Sequence, residues 1–185
     1  MLKIIVPKQE LFDEASQTFS YTPFDSTTLT LEHSLLSISK WESAWHKPFI
    51  SDDEKTKEEL DSYIQCMTIN QNVHPDVYKY LTRKNYDDIK NYISDPMTAT
   101  KFSKQNSSSE KSSQYISSEL IYWQMIQYNI PCEFERWHLN RLLTLIKICN
   151  VKSESQNDKQ KNSKENMRAN ASVMAARRAA MRKMK

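Results

Sequence analysis

A chain of 185 residues that is 38% hydrophobic and 26% charged has room for one ordinary core plus some sequence that does not pack. Its net charge of +3 is unevenly spread: residues 151–185 hold ten Lys/Arg against three Asp/Glu, a local +7 that leaves −4 on residues 1–150. Glycine is absent, which excludes a P-loop, a dinucleotide-binding fingerprint and a G-x-S-x-G nucleophile elbow, since each relies on its backbone freedom.

Residues 3–6, 18–21 and 28–32 are short, rich in β-branched and aromatic residues, and separated by polar turns, which predicts a small antiparallel sheet. Ser34 reads as the N-cap of a helix reaching about Trp45, with Leu35, Ile38, Trp41 and Trp45 at helical spacing and Pro48 stopping it. After an acidic loop at 51–55, a helix over about 56–67 places Leu60, Ile64 and Met67 on one face with Tyr63 beside them. Pro75 opens a short helix carrying Val77, Tyr78 and Leu81. Asn85 is expected to cap another, turning Ile89, Tyr92 and Ile93 inward. From Pro96 to Gln114 the chain is polar, and Ser107 to Ser113 has the composition of a mobile loop.

The strongest core signal follows. A helix over 117–128 carries Leu120, Ile121, Trp123, Met125 and Ile126. After the break at Asn129-Ile130-Pro131, a second helix over 132–149 carries a stripe of Leu139, Leu142, Leu143, Ile146 and Cys149, widened by Trp137, Leu145 and Ile148. The tight connection predicts an antiparallel helical hairpin. Asn129 and Asn150, each just beyond an apolar stretch, are expected to take the left-handed caps that glycine usually fills. Residues 151–165 have too little apolar surface to offset their ordering entropy. Residues 167–185 are rich in Ala, Arg and Met, with Met167, Met174 and Met181 every seven residues. Such a segment is expected to be disordered alone and helical on a partner.

Combinations that carry chemistry are few. His74-Pro75-Asp76 spells the tripeptide of J-domain co-chaperones, but the preceding helix is acidic (Glu58, Glu59, Asp61) where that family has a basic one. Proline in a first helical turn, with a carboxylate favourable to the dipole beside it, is the simpler account. Glu135 and His138 make half of a carboxylate-bridged di-iron motif that has no second copy. With His33, His46 and His74 scattered and no cysteine pair, no metal or cofactor is expected. Cys66, Cys132 and Cys149 are odd in number and far apart, which suits buried thiols in a reducing compartment. No apolar run is long enough to cross a bilayer, and residues 1–6 are too short for a signal-peptide core. The expectation is a soluble, intracellular, non-enzymatic protein. The basic tail lacks aromatics for base stacking, so nucleic acid ranks last among its partner classes.

Several strings carry a resemblance: Leu31-Glu32-His33-Ser34-Leu35, Ser39-Lys40-Trp41-Glu42, Trp45-His46-Lys47-Pro48-Phe49, Tyr63-Ile64-Gln65-Cys66-Met67-Thr68, Pro96-Met97-Thr98-Ala99-Thr100 and Trp137-His138-Leu139-Asn140-Arg141-Leu142-Leu143-Thr144-Leu145-Ile146. With the basic Ala/Arg tail they resemble a family of small proteins encoded in the tail-gene region of long-tailed phages, over most of residues 1–150. The resemblance implies a tail assembly chaperone of the host cytoplasm that escorts the long, apolar, helical tape measure protein until tube subunits polymerise around it. The alternative is a structural virion component, a connector or tail-completion protein, with a nucleic-acid-binding regulator third. The chain departs from the pattern in having no glycine.

The expected architecture is α+β and predominantly helical: a small N-terminal antiparallel sheet, a helical remainder to about residue 150, and a flexible basic tail over 151–185. The expected partner surface comprises Trp41, Trp45, Trp137 and Arg141 with Met174, Arg177, Arg178 and Met181 of the tail, because Trp and Arg favour interfaces and Met adapts to irregular apolar contacts. Self-association is compatible with it.

Overall fold

Alternating apolar residues at the N-terminus build two antiparallel strand pairs rather than one sheet. The structure, a computed structural model, describes residues 1–14, 17–51, 53–102 and 116–154. Strand β1 (Leu2–Val6) pairs with β4 (Thr27–Leu31), and β2 (Glu10–Asp13) pairs with β3 (Thr18–Tyr21). The register Ile4↔Leu29 and Leu2↔Leu31 puts Ile4, Val6, Leu29 and Leu31 on one buried face. Strand β2 is absent from the sequence expectation because Glu10 and Asp13 are poor strand formers; its partner strand holds it in place. The two pairs meet at Gln9 and Thr22, where the Thr22 N–H donates to the Gln9 carbonyl at 3.0 Å.

Side-chain amides bond to both outer edges of the β1–β4 pair, and on the β4 edge the backbone of Met67 and Ile69 bonds as well. Asn70 accepts from the Thr30 N–H through Oδ1 at 2.5 Å and donates through Nδ2 to the Thr28 carbonyl at 3.2 Å. On the other edge, Asn85 Nδ2 donates to the Ile5 carbonyl at 3.1 Å.

The helices are α1 (Leu35–Trp45), α2 (Lys57–Met67), α3 (Arg83–Ser94), α4 (Ser118–Gln127) and α5, residues 139–154, with 3-10 segments at Pro75–Tyr80 and Cys132–Arg136. The chain is therefore α+β and mainly helical, its strands all N-terminal. It divides into two compact units, Met1–Thr144 and Leu145–Lys185, the division falling inside α5. Among the described residues, no helix is long and apolar enough to cross a membrane.

Helix α1 is the axis of the first unit, packing on α2, α4 and the second 3-10 segment. Ser34 caps α1 as expected, and Thr56, expected to begin α2, caps it instead, each in a reciprocal capping box. For α3 the cap is Thr82, and Asn85 is its partner inside the helix, accepting the Thr82 N–H at 3.0 Å. Helix α1 ends one residue after Trp45, at His46 (φ 54°), ahead of Pro48. Left-handed backbone falls on Gln17, His46, Asn72, Met97 and Asn129. Asn129 takes the cap expected of it, whereas Asn150 lies inside α5.

Five further expectations are corrected. Helix α2 buries Glu59 with Tyr63, Ile64 and Met67 and leaves Leu60 exposed, because its capping box draws Glu59 inward. Helix α4 buries Ile121 and Met125 while Trp123 and Ile126 face out. Residues 132–136 coil as a 3-10 segment and Trp137 is extended, so α5 starts only at Leu139 and the tight helical hairpin does not form. Its buried apolar residues are Leu139, Leu142 and Ile146. Finally, α5 runs through residue 154, so residues 151–154 are helical, and Cys132 is exposed while Cys66 and Cys149 are half-buried. The loop at 107–113 and the tail from residue 155 lie outside the described residues.

Candidate interaction surface

Trp41 and Trp45 stack at 6.0 Å, one turn apart on α1. Trp41 is only 1% exposed; its indole donates to the Glu59 carbonyl at 2.9 Å and its face meets the edge of Phe49. It is a core pillar, and its ring is not open to a partner as the sequence expectation had it. Trp45 is half-buried and donates to Ser62 Oγ at 2.9 Å. Glu59 beneath them accepts from Lys47 Nζ at 2.8 Å and from the Thr56 N–H at 2.8 Å. The Lys47 hydrogen bond, then that of the Thr56 backbone, holds its carboxyl below the ordinary value. The cleft of about 380 Å³ beside them is lined by Trp41, Lys47, Asp53, Glu54, Lys55 and Glu59.

Trp137 and Arg141 are brought together, as one stack. Phe134 and Trp137 lie 3.9 Å apart and 15° from parallel, and the Arg141 guanidinium sits 4.0 Å above the indole. The stack adjoins the N-terminus of α1, where Ser34 bridges His138. Trp45 is at the other end, on the order of 16 Å along an eleven-residue helix. The four body residues of the expected surface thus form two separate clusters. Met174, Arg177, Arg178 and Met181 lie outside the described residues.

Glu135 and His138 diverge instead of sharing a ligand. Glu135 accepts the Tyr122 hydroxyl at 2.8 Å, whereas His138 donates through Nε2 to the Tyr92 carbonyl at 3.0 Å. Among the described residues, no group of three or more His, Cys, Asp or Glu side chains is placed to hold a metal. His74-Pro75-Asp76 caps the first 3-10 segment, with Asp76 paired to Lys79 at 2.6 Å. Cys66 is a poor nucleophile, its thiol pushed up by burial.

A buried polar node ties four elements together. His33, two residues beyond β4, meets the Tyr63 hydroxyl of α2 through Nδ1. Its ring lies 5.0 Å from that of His138, which packs edge-on against Tyr92 of α3. Burial, then the neighbouring His138, lowers His33 from 6.5 to about 3, while burial raises the Tyr63 phenol. A neutral imidazole therefore accepts from a protonated phenol. Burial also lowers His138.

The linkage has a definite sign. The unfolded chain takes up a proton at His33 below pH 6.5 that the folded chain refuses until about pH 3. This contribution is complete above pH 6.5 and is lost as pH falls, by about 1.4 kcal/mol per pH unit. Urea unfolding at pH 4.5 should therefore show about 2–3 kcal/mol less stability than at pH 7, with a flatter slope in His33→Gln. Equal stability at the two pH values would remove the node from this role.

Two apolar faces escaped the sequence expectation. On the β2–β3 ribbon, Phe12, Phe19 and Tyr21 are 53%, 67% and 61% exposed. On α4, Trp123 and Ile126 are 55% and 69% exposed, with Leu120 half-buried beside them. The ribbon's signal was the alternation through Phe19 and Tyr21. Helix α4 is apolar on too many sides for its sequence to reveal which one stays open. Comparison of the chain with protein-family models, curated proteins and solved structures finds no match.

Proposed function

We propose that this chain is a phage tail assembly chaperone, which covers apolar helical surface on the tape measure protein in the host cytoplasm and releases it as the tube assembles. The observation that supports this reading best is the open face of α4. Trp123 and Ile126 stand one turn apart on a helix whose opposite face, Ile121 and Met125, is core. A rigid helix with an aromatic and an aliphatic side chain at i and i+3 suits docking of another helix. A face this small favours reversible contact over the large fixed interface of a ring subunit.

Co-expression with the tape measure protein tests the reading. The full chain should keep that protein soluble and co-purify with it, and Trp123→Ser with Ile126→Ser should lower the yield several-fold. A tape measure protein that stays insoluble, with this chain found in purified particles, would sink the chaperone and favour a virion component.

A further inference from the structure

We infer that the aromatic face of the β2–β3 ribbon is a docking site for a basic, amphipathic helix of another protein. The inference rests on the reading of the chain as an interaction protein and assigns it a second surface with its own chemistry.

Side chains alternate across a strand, so one face of the ribbon carries Glu10 and Phe12 from β2 with Phe19 and Tyr21 from β3. Phe12 and Phe19 are directly opposed in register, their rings 4.9 Å apart. Such a pair contributes at most about 1 kcal/mol to a ribbon that is marginal alone in water. Holding three large rings more than half exposed therefore gains the ribbon little by itself. An exposed aromatic cluster of this kind marks a contact surface.

Charge decides what covers it. Between Gln9 and Phe24 the chain carries Glu10, Asp13 and Glu14 and neither lysine nor arginine. A second copy's ribbon laid face to face would bring together two segments that each carry three carboxylates and no cation, with Glu10 on the aromatic face itself. Three half-exposed aromatics also offer only about 350 Å², well below the roughly 800 Å² per partner of a stable interface. An anionic lipid surface is repelled by the same carboxylates. A cation is welcome here, since Lys8 Nζ, held by Asp25 at 3.0 Å, lies 5.5 Å from the Tyr21 ring centre on this ribbon. A four-residue ribbon is roughly 13 Å long, which matches two to three turns of a helix. The occupant is therefore a helix with an apolar stripe flanked by lysine or arginine.

The test uses the full chain and two labelled synthetic helices of about 18 residues, five turns each. One has a leucine face flanked by lysines, the other the same face flanked by glutamates. By fluorescence anisotropy the lysine peptide should bind about tenfold or more tightly than the glutamate peptide. Phe12→Ser with Phe19→Ser should abolish that binding. Glu10→Lys with Glu14→Lys, which leaves the aromatic pair in place, should reverse the preference. Equal binding by all variants, binding of phosphatidylserine vesicles instead, or ribbon-dependent dimerisation in sedimentation would each overturn the site. If the wild-type chain fails to hold the tape measure protein soluble, the chaperone reading falls while the peptide result stands. If only the peptide result fails, the ribbon site falls alone.

Discussion

Replacing Trp41 by alanine should cost about 4 kcal/mol of folding stability, within the range for truncating a fully buried tryptophan. The indole fills the junction of α1, α2 and the segment at Phe49, and its N–H is committed to the Glu59 carbonyl. Truncation removes the volume and that hydrogen bond together. Trp45, half-buried and stacked on the outside of Trp41, should cost about 1–2 kcal/mol, since less apolar area leaves water. Urea unfolding of the two alanine variants checks the difference. A loss under about 1 kcal/mol at Trp41 would mean that the ring is free to serve a partner.

Removal of the Glu42 carboxylate comes next in size. Glu42 is buried, and its two oxygens hold two backbone donors from different parts of the chain. Oε1 accepts the Phe49 N–H at 2.7 Å, and Oε2 accepts the Ser118 N–H at 2.8 Å. Ser118 is the first residue of α4, where a negative charge also meets the positive end of the helix dipole. Hydrogen bonds to a charged acceptor contribute about 1.5–3 kcal/mol each, so Glu42→Ala should lose about 3 kcal/mol and leave a buried donor at Ser118 and a part-buried one at Phe49 unpaired. Glu42→Gln should recover part of this, because its amide keeps one acceptor and presents a donor to the other N–H. Hydrogen exchange adds a local readout: the amides of Phe49 and Ser118 should lose protection before the rest of the chain. Unchanged exchange at Ser118 would show that α4 is held by its apolar contacts alone.

These two residues show what the sequence could and could not convey. Trp41 is legible as an apolar position on an amphipathic helix, and Ser34 and Thr56 announce the starts of α1 and α2. What could not be read is where rotation about each helix axis settles. Helix α2 presents both Leu60 and Glu59 as plausible inward residues; the capping box and Lys47 select Glu59. Thr82 was obscured because its box is closed by asparagine instead of the usual Glu or Gln. Glu42 looks like an ordinary surface charge, since its donors lie 7 and 76 residues away. Of the candidate surface, the Trp137–Arg141 stack could not be read as helical i, i+4 spacing, because Trp137 lies in extended backbone ahead of α5. The open face of α4 depends on what packs behind Ile121, which no local pattern specifies.

The amides of Asn70 and Asn85 have a consequence for how the strand pair resists edge-to-edge association. A strand edge is a template on which a second chain can add hydrogen bonds and begin a polymer. Here the β4 edge is continued by the backbone of Met67 and Ile69 and by the Asn70 amide, and on the β1 edge Asn85 takes the Ile5 carbonyl. Asn70 offers donor and acceptor together, so aspartate, nearly identical in shape, would answer the Thr30 N–H but have nothing to give the Thr28 carbonyl. These groups occupy edge positions on which a second chain could otherwise add hydrogen bonds.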